Sequence, residues 1–337
     1  MHWPYRVSII VGGILIGEAS YAERPFARAE SVGRSLVDRF NAEAPRGWAE
    51  LRQTSRNVRG VLHKSKVLRE GGRIKTTSRK RIEFKLSRAN MLELDRVEGD
   101  GDSDGASGVA VRNDRYAFWL RRSDSGSPWV ANTVGPDKGG QVETAIADGA
   151  LQCFDASWKV LEMSLPSWLN TPGFKIVAIG DADDGEDRLV RLDFHYDPAD
   201  DKAQETAIRG GWILFEPSRF WCIRKYEVIT PWGRVFGEIE YSDADSVPLP
   251  RRYRWELLNE KKGASSITVL EVTELAVGPT PDEEFTLSAF GLPEPPLGDP
   301  RRGLWFWVIN AGGLLIFLAV WLEAGRRRRR RQVEPGG

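Results

Sequence analysis

The chain has 337 residues, with 48 Lys+Arg set against 48 Asp+Glu, 41% hydrophobic residues and two cysteines. The formal neutrality hides an asymmetry, because residues 23–300 carry 39 Lys+Arg and 45 Asp+Glu, a net charge near −6, while arginine gathers at the C-terminal end. A mildly acidic body of this size holds one large or two small domains with a hydrophobic core, and it offers no basic face for nucleic acid.

Residues 1–22 read as an export signal. Arg6 precedes a short apolar run, Val7–Gly17, and Ser20-Tyr21-Ala22 supplies a small-x-small cleavage pattern. From Pro25 to about Arg52 the spacing of Val32, Leu36 and Phe40 predicts a helix, interrupted at Pro45-Arg46-Gly47. The period then changes to two. Val58–Leu68 leads to a Gly71-Gly72 turn, and Ile82, Phe84 and Leu86 alternate with charged residues, a parity that Leu92 and Leu94 are read as continuing. Glu98–Gly108 is a polar turn, VAVRNDRYAFWLRRS a strand pair, and PWVANTVG closes the first half.

Residues 142–180 return to helix. Leu151, Phe154, Trp158 and Leu161 fall at spacings of three to four, and a second run covers Leu165–Asn170. Strands then resume through DRLVRLDFHYDP, GGWILFEPSRFWCIRKYEVI, PWGRVFGEIEYSD, RRYRWELLNEKKG and SSITVLEVTELAV. Serial antiparallel strands around helical insertions predict an α+β domain dominated by a curved antiparallel sheet, spanning residues 23–278. Residues 279–303 are proline-rich and read as an extended stalk. Residues 304–322 (LWFWVINAGGLLIFLAVWL) are free of ionisable side chains over about 19 positions, enough to cross a bilayer as a helix, with Trp305, Trp307 and Trp321 at its ends. Arg326, Arg327, Arg328, Arg329, Arg330 and Arg331 follow at once, which places the tail, 323–337, in the cytoplasm by the positive-inside rule and leaves the domain outside.

Candidate sites are few. Asp100, Asp102 and Asp104 match the first half of a calcium-binding loop, but Ser107 and Val111 occupy positions where its second half needs an aliphatic residue and a glutamate. An acidic solvated turn is the favoured account of them, as it is of Asp181, Asp183, Asp184, Glu186 and Asp187. His63 and His195 lie in predicted strands with no nucleophile or zinc pattern around them, so no catalytic residue is nominated. Cys153 and Cys222 can form one disulfide joining a helix to a strand in an oxidising compartment, or can stand as two buried thiols. Tryptophan is abundant, and such density either lines an apolar cavity or builds the core of a curved sheet. Trp158, Leu161, Met163, Leu165 and Trp168 on the predicted middle helices, with Trp119 and Trp212 on strands, are the candidates for a ligand-facing surface.

VAVRNDRYAFWLRR resembles the strand pair around an exposed turn in LolA/LolB-type lipoprotein carriers, and RGGWILFEPSRFWCIRKYEVITPWGRVFGEIEY is similar to their later meander. The resemblance covers about residues 27–278. It implies a half-open β-barrel with helices on its concave face, holding lipid acyl chains or a lipidated partner between helices and sheet. A tethered chain departs from a soluble carrier, which argues for local capture rather than shuttling. Pro293-Glu294-Pro295 ahead of a span and an arginine cluster is similar to PEP-CTERM sorting tails, although PLGDPRRG intervenes. The expected protein is therefore a membrane-anchored, periplasmic binding module for lipid or a lipoprotein, without enzymatic activity or cofactor. The alternative is an envelope-stress sensor or scaffold acting through protein partners.

Overall fold

The computed structural model describes residues 34–97, 107–136, 141–184, 187–197, 208–242 and 247–295. The expected export signal, the membrane span with its arginine tail, and Asp100, Asp102 and Asp104 lie outside the described residues. Among the described residues, no helix is long and apolar enough to cross a membrane.

Helix α1 (Arg34–Ser55) leads into a first meander: β1 (Asn57–Glu70), β2 (Arg73–Ser87), β3 (Asn90–Val97), β4 (Ser107–Arg112), β5 (Ala117–Arg122) and β6 (Val130–Gly135). A crossing segment follows, with α2 (Gln141–Ala147), α3 (Ala150–Asp155), the small hairpin β7 (Lys159–Val160) and β8 (Met163–Ser164), and α4 (Leu165–Trp168). The second meander comprises β9 (Phe174–Asp184), β10 (Asp187–Tyr196), β11 (Gly210–Glu216), β12 (Cys222–Thr230), β13 (Gly233–Tyr241), β14 (Pro250–Asn259) and β15 (Ala264–Val277).

Among the described residues, thirteen strands form one antiparallel sheet in the order β6-β5-β4-β3-β2-β1-β15-β14-β13-β12-β11-β10-β9. The two meanders therefore meet at the long β1–β15 pair, where Val58 faces Val277 and Glu70 faces Ala264. The edges, β6 and β9, are not paired to each other, so the sheet stays open. A single apolar cluster nevertheless draws on β2, β4 and β5 from one half, on β9–β13 from the other, and on the helices between, as a curved sheet folded around its cover would require.

Several local expectations need correction. Helix α1 runs through Pro45 without a break. Pro45 sits on its exposed side, so its missing N–H deprives only a solvent-facing turn, while Leu36, Phe40, Ala44, Trp48 and Leu51 hold one buried stripe. Gly47 is needed on that stripe because an added Cβ would stand 2.4 Å from the Phe220 carbonyl oxygen. Leu92 and Leu94 do not continue the parity of Ile82–Leu86. A tight turn with Arg88 at φ 52° separates β2 from β3, and the register pairs Phe84 with Glu93.

The predicted helix through Trp158 and Leu161 ends at Asp155. The Asp155 carboxylate is engaged by Arg56 and by Lys159 at 2.6 Å, and the Ile223 N–H donates to the Ser157 carbonyl at 3.1 Å, which pulls the chain down onto the sheet. Leu161 then turns the small hairpin at φ 56°. Residues 174–180, the last part of the stretch expected as helix, form β9 against β10 instead, and Asp181, Asp183, Asp184 and Asp187, expected in an acidic turn, enter the strand pairing. The stretch expected as a stalk also folds back in its first part, because two 3-10 turns, Asp282–Phe285 and Leu287–Phe290, pack on the sheet with Phe285 and Leu287 buried.

Candidate functional site

The inner face of the sheet is apolar and aromatic, and the crossing segment covers it. At the second-meander end, Trp168 is fully buried with its ring 4.7 Å from that of Phe194, 5.2 Å from Phe174 and 5.9 Å from Tyr196. Leu165 and Trp158 are buried in the same core, and Leu161 and Met163 pack on it while half-buried. Beneath the hairpin, the Tyr226 and Tyr253 hydroxyls meet at 2.7 Å, and burial pushes both phenols above their ordinary range. Gly237 makes room for this pair, since a Cβ there would stand 2.1 Å from the Tyr226 ring. Helix α1 locks the next position along: the Trp48 indole donates to the Trp221 carbonyl at 2.8 Å, and the Trp221 indole donates to Glu43 at 3.1 Å.

At the first-meander end the cover rests on a buried acid. Glu93, 5% exposed, projects from β3 and accepts the Ala150 N–H at 3.1 Å where α3 begins. Gly149 permits this approach, because any Cβ there would overlap the Glu93 carboxyl. Burial, with the neighbouring Asp95 carboxylate adding to it, raises the Glu93 pKa well above the ordinary carboxylate value, against the opposing pull of the Ala150 N–H and Lys64. Asp95 is paired with Lys80 at 2.9 Å, and Lys64 binds the Asp148 carboxylate and carbonyl, each at 2.7 Å. Lys80, Glu93, Asp95, Trp119, Arg121 and Ala145 line a small cleft of about 180 Å³ here.

The sequence-nominated ligand-facing set is thus only partly assembled. Trp158, Leu161, Met163, Leu165 and Trp168 do come together under the cover. Trp119 lies apart, beside Glu93, with Arg121 stacked on its ring at 4.8 Å. Trp212 is on the opposite face of the sheet, where its indole donates to Glu227 at 3.1 Å and Arg191 stacks on it at 5.0 Å. It must be removed from the set: Ile213 and Phe215 take the inner face of β11, and strand alternation sends Trp212 outward.

Cys153 and Cys222 are both free and buried. Cys153 lies on α3, which packs over β14, whereas Cys222 opens β12 beside Tyr241, so the disulfide option is overturned. Burial raises each thiol to about 12, leaving both as inert core groups. His63 pairs across β1 with Glu271 and Arg81, and His195 is exposed on β10. Glu93 escaped the sequence reading because Leu92 and Leu94 suggested a wet face at position 93. The available signal was the apolar character of both parities in the adjoining strand, Val109 and Val111 on one and Ala110 on the other.

No family model matches the chain, and no curated protein matches it. Among solved structures, the chain is similar to a DUF1329 family protein from Desulfovibrio piger, at 10% identity and a TM-score of 0.39, covering 74% of this chain and 99% of that one. It is also similar to a LolA superfamily protein from Nitrosomonas europaea, at 10% identity and a TM-score of 0.36, covering 72% of this chain and 97% of the other.

Proposed function

We propose that this chain is an extracytoplasmic, membrane-tethered binding protein that captures lipid acyl chains, or the acyl chains of a lipidated partner, under the crossing segment, and that it acts by binding rather than by catalysis. The observation that carries this reading is the nature of the cover. A continuous apolar face is closed by helices of seven, six and four residues and one small hairpin. Helices this short have no stability of their own in water, so packing and a few polar ties hold the cover in place. The ties are Glu93 to the Ala150 N–H, Lys64 to Asp148, Arg56 to Asp155, and Ser157 to Ile223. An acyl chain offers the same apolar contacts that Leu161, Met163, Leu165 and Trp168 now make, so it can replace the cover at little net change in buried apolar area. The export signal and anchor read from the sequence put such capture at the outer face of the membrane.

The test is photolabelling of the full chain in non-ionic detergent with a diazirine fatty acid, followed by mapping of the adducts. Saturable labelling of residues 158–168 and of facing positions on β12–β14 is expected. Labelling that does not saturate, or that falls only on residues 304–322, would overturn the proposal.

A further inference from the structure

A sizeable cleft among the described residues lies away from the cover. It lies where the C-terminal end of α1 meets the β2–β3 turn and the end of β4, has a volume of about 900 Å³, and is lined by Arg52, Arg56, Arg88 and Arg112. Gln53 and Asn57 add further polar groups, and among the described residues no carboxylate lines it. Four guanidinium groups around one cleft run against the net acidity of residues 23–300. The helix end does not explain them. Its last carbonyls are already engaged: Arg52 O by the Ser55 hydroxyl at 3.1 Å, Gln53 O by the Asn57 amide at 3.4 Å, and Arg56 O by the Arg88 N–H at 2.8 Å.

Two further observations point to a ligand. Arg56 is largely buried, and its Nη1 has no hydrogen-bond partner although Nη2 lies 3.5 Å from Asp155. The Asp155 carboxylate is shared, with Lys159 on its other oxygen at 2.6 Å, so it occupies only one end of the Arg56 guanidinium. Buried guanidinium nitrogens are ordinarily paired, so Nη1 leaves Arg56 with donor capacity that the described residues do not use. Arg88, moreover, sits in the left-handed region at φ 52°, where Gly or Asn would be relaxed. A strained backbone that presents a cation to a cleft is the kind of outlier retained for function rather than for stability.

We infer that this cleft binds a phosphate group, with the forked guanidinium groups of Arg52, Arg56, Arg88 and Arg112 as its ligands. Guanidinium donors match the oxygens of a phosphate monoester or diester, and several cations give the charge match that a carboxylate-free wall requires. The same chemistry is presented by an anionic phospholipid headgroup and by free phosphate. The lipid source rests on the acyl-chain reading above, whereas the phosphate site itself stands without it.

The experiment titrates the full chain in dodecyl maltoside micelles with three probes: inorganic phosphate, dihexanoyl phosphatidylglycerol and dihexanoyl phosphatidylcholine, read by calorimetry. Saturable binding of at least one of the first two is expected, weakening as salt rises. Phosphatidylglycerol binding more tightly than inorganic phosphate identifies the headgroup as the source; inorganic phosphate binding equally or better identifies the free anion. Arg88→Asn removes a cation and relaxes the turn, so the Tm should hold or rise while affinity falls about tenfold, in line with loss of one charge-assisted contact. Arg52→Gln, on an exposed side chain, should reduce affinity likewise and leave the Tm unchanged. No saturable binding of either anionic probe, or equal affinity in the wild type and the Arg52→Gln/Arg88→Asn double variant, would overturn the site. Fatty-acid photolabelling of the double variant separates the two readings. If labelling fails in the wild type while phosphate still binds, the acyl-chain reading falls alone; if phosphate fails while labelling persists, the arginine site falls alone.

Discussion

The two meanders of the sheet use the same pairing and reach opposite solutions for their outer faces. In the second meander, the middle of β12–β14 alternates: Tyr226, Val228, Val235, Ile239 and Tyr253 point inward, and the outer face carries cross-strand ion pairs such as Lys225–Glu238, Arg234–Glu227 and Arg252–Glu240. Around β3–β5 of the first meander both faces are covered. Phe84 and Ala110 meet the helices, while Leu92, Val111 and Phe118 are covered from outside by the turns at 282–290. There Asn90 binds Asp282 at 2.7 Å, Lys85 pairs with Glu284, and the Tyr116 hydroxyl accepts the Leu287 N–H at 3.1 Å. A strand with one wet face can send its charges outward, whereas a strand covered twice must bury them or pair them. Glu93 is buried on these terms in the first meander, and Glu216, at the end of β11 in the second, is equally buried but has Arg224 3.4 Å from its carboxylate.

The difference can be broken most severely at the outer cover. Phe285 is fully buried, and Phe285→Ala should cost about 3–5 kcal/mol, as large aromatic truncations in cores do. Hydrogen exchange should then lose protection first in β3–β5; equal loss in β11–β13 would show that the two halves are not separately covered. Within the second meander, Gly237→Ala forces a methyl group into the Tyr226 ring and should cost about 1–3 kcal/mol by denaturant titration, in the range of other overpacked sites.

A third test concerns pH. The Glu93 pKa is raised in the folded chain, so the folded state holds a proton there that the unfolded state releases. Stability from this group is therefore complete below the ordinary carboxylate pKa and is lost as pH rises from there through the raised value. Glu93→Gln keeps the acceptor and cannot ionise, so it should flatten that part of the stability–pH curve; an unchanged slope in the variant would remove Glu93 as its cause. The smallest effect is expected on the wet face. Arg252→Ala breaks an ion pair between two exposed side chains at 2.8 Å and should change stability by under about 1 kcal/mol, less still at high salt.

The legibility of the sequence follows the same division. Where one face is wet, alternation alone locates β12–β15, and Val235, Ile239, Tyr241, Tyr253, Trp255 and Leu257 keep one parity, which is the side that packs on the core. Where both faces are covered, alternation misled: Leu92 and Leu94 were assigned to the parity of Ile82 and Phe84 but face the 3-10 turns. Helical spacing misled in the crossing segment for a related reason. Trp158 and Leu161 keep a helical interval, yet distant partners take hold of the chain here, Arg56 on the Asp155 carboxylate and Ile223 on the Ser157 carbonyl, and the helix stops at Asp155. Of the ligand-facing candidates, the cluster from Trp158 to Trp168 was legible as an apolar group. Trp212 was not separable from it, because its face depends on which neighbours β11 pairs with.

By itself the sequence determined the alternating strands, the β1–β2 hairpin at Gly71-Gly72, the presence of α1 and the asymmetric charge distribution, because each depends on residues near one another along the chain. Only the tertiary structure decided that Glu93 is buried, that Cys153 and Cys222 stay apart, that residues 282–290 return to the sheet, and that Arg52, Arg56, Arg88 and Arg112 share one cleft. Those arrangements depend on which distant surfaces exclude water from each other, and local periodicity carries no information about that.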